Sequence, residues 1–165
     1  MDMMGGWFPT AEEHLTEVWS RRAGEEDSDW VTVLAGTFLA TIMIWNGRGA
    51  ETVEIARRTL TIGGLDPATT DLTRAILATG RMWDEGPEAA LASLTHLPVV
   101  STEVANHSLD TLATRGVMRL FRGDLGGART DLHTVTLRDQ QGAGSKLGPV
   151  TLSLQSVVHY LTGDW

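Results

Sequence analysis

Four arginines lie at positions from which they could bind an anionic ligand. Arg81 and Arg119 stand at equivalent points of two similar stretches, and Arg74 and Arg115 precede them by one or two helical turns. A guanidinium group binds a carboxylate or a phosphate through two parallel hydrogen bonds. If equivalent helices stack side by side, Arg74, Arg81, Arg115 and Arg119 form a row, which is the candidate surface for a ligand or partner.

The alternative is that these arginines form ion pairs within the chain. Asp84, Glu85 and Asp124 stand close to them in the sequence. Exposed ion pairs of this kind are common on helices and contribute little to stability. The sequence alone leaves both interpretations open.

An aromatic position recurs with the same interval. Trp45, Trp83 and Phe121 follow one another at equal steps along the chain. Large aromatic side chains at an equivalent position of successive repeats favour packing between those repeats. We therefore predict that the three side chains belong to the core, and a ligand cage is the alternative.

Other patterns give no support for catalysis. Residues 142–148 read GAGSKLG, but a phosphate-binding loop needs Gly-Lys followed by Ser or Thr, whereas Ser145 precedes Lys146 here. The five histidines, at positions 14, 96, 107, 133 and 159, form no i,i+4 pair and no cluster with carboxylates at ligand spacing. We predict no enzyme activity, no metal and no cofactor in this segment.

Composition narrows the class of protein. The chain has 165 residues, a formal net charge of −8 and a sequence pI near 5.0, which disfavours direct contact with a nucleic-acid backbone. It contains no cysteine, as is typical of a reducing compartment. Because the first residues also lack a secretion signal, we expect a cytoplasmic location.

One uncharged segment could be either a membrane-spanning helix or a buried helix of the core. Residues 30–46 contain no charged side chain, and their length is at the lower limit for crossing a bilayer. Threonines and a glycine dilute the apolar run. A buried helix is therefore predicted, with no membrane insertion.

Internal similarity predicts the architecture. Residues 119–132 (RLFRGDLGGARTDL) align with residues 81–94 (RMWDEGPEAALASL) without a gap; Trp45 marks an earlier copy, and residues 160–165 repeat part of the unit. A period of roughly 38 to 40 residues is typical of stacked helical hairpins. The predicted fold is all-α, a right-handed superhelix of antiparallel helix hairpins, or tetratricopeptide-like α-solenoid.

The period also gives boundaries. We expect a single domain with an N-terminal helix at about 9–22, repeats at about 29–62, 66–98 and 101–139, and a half repeat at 149–165. A solenoid normally ends in a polar capping helix, so we expect a fragment of a longer protein. The uncovered last helix could then pair two copies as a homodimer.

Several local features refine this prediction. Thr10 with Glu13, and Asp66 before Pro67, are helix-start signals. The second helix of the second repeat is expected from near Pro87 as far as Leu97. Small Gly116 should allow two helices to approach closely, whereas Asp131 should face water.

The repeats resemble tetratricopeptide hairpins. In the third unit Leu112, Gly116, Ala128 and Leu132 lie at spacings similar to the motif's leucine, glycine, alanine and large apolar positions. The period is longer than that of the standard tetratricopeptide motif. In addition, arginine replaces the usual tyrosine, and the closing proline is absent.

The longer pattern resembles a particular family. EEHLTEVW at 12–19, GRGAETVEIARRTL at 47–60 and RGDLGGARTDL at 122–132 are similar to the helical-repeat region of large LuxR-type (MalT-like, ATP-dependent) bacterial regulators. This resemblance implies an ATPase module before the repeats and a helix-turn-helix after them. The present segment would be the sensor, binding a small effector, a protein partner or other domains of the parent, and ATP would belong to the parent protein.

Overall fold

Helices are the only regular secondary structure in the residues that the computed structural model describes, which are 7–23, 30–62 and 65–164. The helices are α1 (Trp7–Arg22), α2 (Trp30–Trp45), α3 (Gly49–Ile62), α4 (Pro67–Asp84), α5 (Pro87–Ala92), α6 (Leu109–Arg122), α7 (Leu125–Gln140) and α8 (Gly148–Thr162). Short 3-10 turns occupy Ser101–Glu103 and Asn106–Ser108. The all-α prediction is confirmed for these residues.

Helix ends follow local signals in the sequence. The Asp66 side chain accepts hydrogen bonds from the amides of Ala68 (2.9 Å) and Thr69 (3.1 Å), so the predicted cap of α4 is confirmed. Gly123 has φ +83° at the end of α6, a left-handed conformation that glycine adopts without steric cost. The predicted capping box at Thr10 is wrong, because α1 already begins at Trp7.

Helices α6 and α7 form an antiparallel hairpin. Arg119, near the turn, contacts the carbonyl of Gly127, whereas Arg115, one turn further away, contacts Asp131. A Cβ atom on Gly116 would lie 2.9 Å from two side-chain carbons of Leu132. The close approach predicted at Gly116 is therefore confirmed.

The first helices of successive hairpins run parallel and touch. Helix α2 contacts α4, and α4 contacts α6. The hydroxyl oxygens of Thr37 and Thr73 are 3.2 Å apart, and the Thr111 hydroxyl donates to the carbonyl of Asp71 at 3.0 Å. Both contacts join residues about one repeat apart, so equivalent ends of these helices lie side by side.

The core repeats with the sequence period. Ala56, Leu94 and Leu132, which are equivalent residues of the three repeats, are all at most 1% exposed. Ala90 and Ala128, the next equivalent pair, are also fully buried. Burial thus has the same period as the residue types.

The second hairpin departs from the pattern. Helix α5 ends at Ala92 rather than near Leu97, and a segment with two 3-10 turns leads to α6. Pro98 disfavours helical geometry at the residue before it, and its ring nitrogen cannot donate a helical hydrogen bond. The predicted length of this helix is therefore wrong.

Helix α2 is the uncharged segment. Nine of its 16 residues are buried against other helices, as predicted for a core helix. Within the described ranges, no helix combines the length and the apolar character needed to cross a membrane.

Candidate functional site

The repeated aromatic side chains lie on the surface. Trp45 is 77% exposed, Trp83 is 68% exposed and Phe121 is 61% exposed, so the prediction that they pack in the core is wrong. Tyr160, on the last turn of α8, is 64% exposed; it aligns with Leu120, and the residue equivalent to Phe121 is Leu161, which is 52% exposed. We call Trp45, Trp83, Phe121 and Tyr160 the aromatic row.

The positions of these residues follow from the helix order. Each is one of the last three residues of α2, α4, α6 or α8. Because the first helices run parallel in register, their ends are neighbours, and adjacent packed helices lie about 8–10 Å apart. Trp45, Trp83 and Phe121, on the contacting helices α2, α4 and α6, are therefore spaced in steps of about that length.

A hollow adjoins the aromatic row at Trp83. It has a volume of about 270 Å³ and is lined by the turn between α2 and α3, the start of α3, and Trp83 with Asp84. At its base, a Cβ atom on Gly49 would lie 3.1 Å from the carbonyl oxygen of Gly80 and 3.2 Å from the Cβ of Trp83. The absence of a side chain at Gly49 thus allows Trp83 to stand against this turn.

Of the charged groups around the hollow, Arg48 and Glu51 are paired with each other, whereas Asp84 is not paired within the part of the chain that the structure describes. Arg48 donates to Glu51 and to Glu12, and these hydrogen bonds raise the pKa of Arg48 and lower the pKa of Glu51. Asp84, beside Trp83, forms no ion pair with any described residue. It is the carboxylate here that remains available to a partner.

Arg81 is committed to its own hairpin. Its guanidinium donates to both oxygens of Glu85, at 2.9 and 2.7 Å, and to the Ser93 hydroxyl at 3.0 Å. The hydrogen bond with Glu85 raises the pKa of Arg81 and lowers the pKa of Glu85. The pairing interpretation is therefore confirmed for Arg81 and Glu85.

Arg115 and Arg119 share one buried carboxylate. Asp131 is fully buried and accepts hydrogen bonds from Arg115 at 2.8 and 2.9 Å, from Arg119 at 2.8 Å and from Ser101 at 2.6 Å. Arg115 also donates to the carbonyl of Pro98 at 2.6 Å. The prediction that Asp131 faces water is wrong; Asp124, the expected partner of Arg119, is more distant at 3.7 Å.

Arg74 lies beside a different buried carboxylate. Its guanidinium is 3.5 Å from Asp71, which also accepts from the Ser108 hydroxyl and lies 3.3 Å from His96. Burial, together with the charge of Arg74, lowers the pKa of His96. The four candidate arginines therefore each have an acceptor within the chain, and only Arg74, 37% exposed, keeps much of its side chain in solvent.

The GAGSKLG loop is held by carboxylates. The amide of Ser145 donates to Asp139 at 2.8 Å, and the amide of Leu147 donates to Asp110 at 3.2 Å. Two amides that a phosphate cradle would use are thus occupied. The loop instead forms part of the wall of a cavity of about 300 Å³ between the starts of α4 and α6.

Two histidines approach the same buried carboxylate. His96 and His107 lie 3.3 and 3.8 Å from the oxygens of Asp71, a proximity that their spacing in the sequence does not indicate. Within the residues that the structure describes, no group of three or more His, Asp or Glu side chains is arranged to hold a metal ion.

Helix α8 has a second exposed apolar surface. Val150, Val157 and Leu161 are 53%, 44% and 52% exposed, and half-buried Leu154 lies between them. Their spacing of four, three and four residues places all four on one side of the helix. We call Val150, Leu154, Val157 and Leu161 the α8 stripe; its last residue is next to Tyr160 of the aromatic row.

Comparison with known proteins gives no match: no protein-family model, no curated protein and no solved structure is significantly similar to this chain.

The aromatic row could have been found from its position. The sequence places Trp45 next to Asn46 and Gly47, Trp83 next to Asp84, and Phe121 next to Arg122. Such polar and turn residues mark the exposed end of a helix rather than its centre. The periodicity identified the correct residues, but periodicity alone does not state which side of a helix is buried.

Proposed function

We propose that this chain is a protein-interaction and regulatory domain built as a tetratricopeptide-like solenoid, in which the aromatic row binds a partner without catalysis. The observation that carries the proposal is the exposure of Trp45, Trp83 and Phe121, between 61% and 77% at three equivalent positions, with Tyr160, 64% exposed, on the last turn of α8. Exposed Trp and Tyr are the side chains most often found at the energetic centres of interfaces.

The parent protein is part of the proposal. The sequence resemblance supports a LuxR-type, MalT-like regulator in which this segment is the cytoplasmic sensor and other domains bind ATP and DNA. Net charge −8 supports a role in binding proteins or small molecules rather than nucleic acid. Binding to the aromatic row would shift the parent between resting and active states only through different affinity for those states.

A small effector is less well supported than a protein partner. The cavity between the starts of α4 and α6 has the volume for a compact ligand, and Arg74 is the most exposed of the four candidate arginines. However, the internal pairing of Arg81, Arg115 and Arg119 leaves no row of available guanidinium groups for an anion. The proposal therefore rests on the aromatic row and not on the arginines.

A displayed library of random peptides tests this function. The wild-type chain should enrich peptides that bind at least tenfold more weakly to the double variant Trp83→Ala with Phe121→Ala. Val99→Ala is the matched control, because Val99 is 85% exposed but lies outside the aromatic row. Failure to enrich any peptide, or equal binding to both proteins, would contradict the proposal.

The second candidate is a scaffold that self-associates through α8 without a small ligand. The α8 stripe favours it, since a spacing of four, three and four residues matches the seam of paired helices. Helix α8 also carries no Asp, Glu, Lys or Arg, so two copies could meet there without opposing like charges.

Sedimentation equilibrium distinguishes this candidate. A wild-type dimer should weaken at least tenfold in Val157→Glu, whereas Ser156→Glu, at an exposed position on another side of the helix, should retain it. A monomeric wild type at all concentrations would exclude the homodimer.

A further inference from the structure

The spacing of the aromatic row restricts the shape of its partner. Trp45, Trp83 and Phe121 stand on contacting parallel helices, whose axes lie about 8–10 Å apart. A polyproline II segment advances about 3.1 Å per residue with three residues per turn, so every third residue lies on one side at intervals of about 9 Å. An extended strand does not fit in this way, because residues three apart point to opposite sides.

The row is also narrow. Polar and charged residues border it, including Asn46, Asp84 and Arg122. A helix bound in a groove needs a broad apolar surface that contacts residues at i, i+3, i+4 and i+7. A slender segment that presents one residue per turn is better matched to a single line of aromatic side chains.

The chemistry of the row points to the same partner. Proline rings pack on aromatic side chains, and proline-rich ligands are recognised by surfaces of this composition. A polyproline II backbone has no internal hydrogen bonds, so its carbonyls are free to accept. The indole N–H groups of Trp45 and Trp83 donate no hydrogen bond within the described part of the chain, and each can therefore donate to such a carbonyl.

The hollow beside Trp83 supplies a pocket. Its lining includes Gly47, Gly49 and Ala50, so small side chains leave room for one ring beside Trp83. Asp84 lies at the same place without an ion pair to any described residue. A basic residue next to the inserted proline would meet this carboxylate.

We propose that the aromatic row binds a proline-rich segment of a partner protein in the polyproline II conformation, with prolines at every third residue and an adjacent basic residue at Asp84. This inference rests on the proposed function and specifies its partner. Preformed polyproline II structure loses little conformational entropy on binding, so a modest contact area is sufficient.

Three synthetic peptides test the proposal by calorimetry. The first has twelve residues with proline at every third position and an arginine directly after each of the two central prolines. The second has the same composition with the prolines at alternate positions, and the third is an amphipathic helix with leucines at heptad spacing. The first peptide should bind at least tenfold more tightly than either of the others, and indole N–H resonances should shift on its addition.

Variants locate the binding. Trp83→Ala should weaken the first peptide at least tenfold, and Ala50→Phe, which fills the hollow and retains every aromatic side chain of the row, should do the same. Asp84→Asn should weaken this peptide but not a version in which glutamine replaces arginine. Val99→Ala should bind as the wild type does, and circular dichroism spectra should be unchanged in all four variants.

The outcomes separate the two proposals. If the helical peptide or a library peptide without three-residue proline spacing binds through Trp83, the polyproline inference is wrong and the protein-interaction function stands. If the first peptide binds equally well to wild type and Trp83→Ala, the inference is also wrong. If library peptides bind independently of the aromatic row as well, both proposals fail.

Discussion

The second and third hairpins use the same alignment of residues in different ways. Arg81 and Arg119 are equivalent, and each reaches an equivalent acceptor on the following helix, Ser93 in one hairpin and Asp131 in the other. Arg81 finds its carboxylate at Glu85 on the surface, whereas Arg119 shares a buried carboxylate with Arg115. A repeated contact can therefore be either superficial or part of the core.

The lengths of the second helices explain this difference. Helix α7 has 16 residues and α5 has six. The segment that replaces the missing turns of α5 packs on the third hairpin, where Pro98 accepts from Arg115 and Ser101 donates to Asp131. Arg138 adds further hydrogen bonds to the carbonyls of Thr102 and Val104. The buried ion cluster thus fixes a connection whose own regular hydrogen bonds are limited to two short 3-10 turns.

Removing the shared carboxylate should have the largest effect. Asp131→Ala leaves Arg115 buried with an unpaired charge, and breaking a buried pair in this way costs about 3–5 kcal/mol. The free energy of unfolding, measured in urea, should fall by about that amount. A loss no larger than that of an exposed ion pair, about 1 kcal/mol, would show that the cluster is solvated and that the two hairpins are equivalent.

A substitution at Gly116 tests whether the helices of the third hairpin pack more closely than those of the second. The equivalent residue of the second hairpin is Ala78, which is fully buried. Gly116→Ala would place a Cβ 2.9 Å from Leu132, and overpacking of a core costs about 1–3 kcal/mol. Thermal and urea unfolding should both show the loss. Gly126→Ala, where no atom lies within 4 Å of the added carbon, is the control and should have no such loss.

Removing the ion pair between Arg81 and Glu85 should change the stability of the fold only a little. Glu85→Ala removes the carboxylate from Arg81, whose side chain is 22% exposed. Exposed ion pairs contribute about 0–1 kcal/mol, so the unfolding free energy should change by no more than that. A loss comparable with that of Asp131→Ala would contradict the distinction drawn between the two hairpins.

The smallest expected effect is the dependence of stability on pH that comes from His96, in the segment after α5. Burial and the charge of Arg74 lower the pKa of His96 from its ordinary 6.5. The unfolded chain therefore binds more protons than the folded chain between the two pKa values. The contribution of neutral His96 to stability is therefore fully present above pH 6.5. It is lost as the pH falls from 6.5 through the lowered pKa of His96.

Urea unfolding at several pH values checks this sign. The decline below pH 6.5 should be smaller in His96→Gln than in the wild type, and NMR titration of the His96 ring should give a midpoint below 6.5. His14→Gln, at an exposed position, should leave the decline unchanged. A His96 midpoint above 6.5 would reverse the expected sign.

The sequence by itself determined the helical class, the period and the identity of the equivalent residues. Apolar spacing, the Asp66 cap and the glycines at turns are local signals, and each acts over one or two helical turns. For this reason the start of α4 could be predicted closely, and the repeat located both the arginines and the aromatic side chains.

Only the tertiary structure decided which of these residues are covered. Asp131 is a charged residue that the sequence pattern places outward, but it is buried because two arginines and a serine from separate segments meet it. Trp83 is an aromatic residue that the pattern places inward, but it is exposed because, at the end of α4, it stands against Gly49, which has no side chain to cover it. Burial depends on contacts between segments far apart in the chain, which local spacing does not contain.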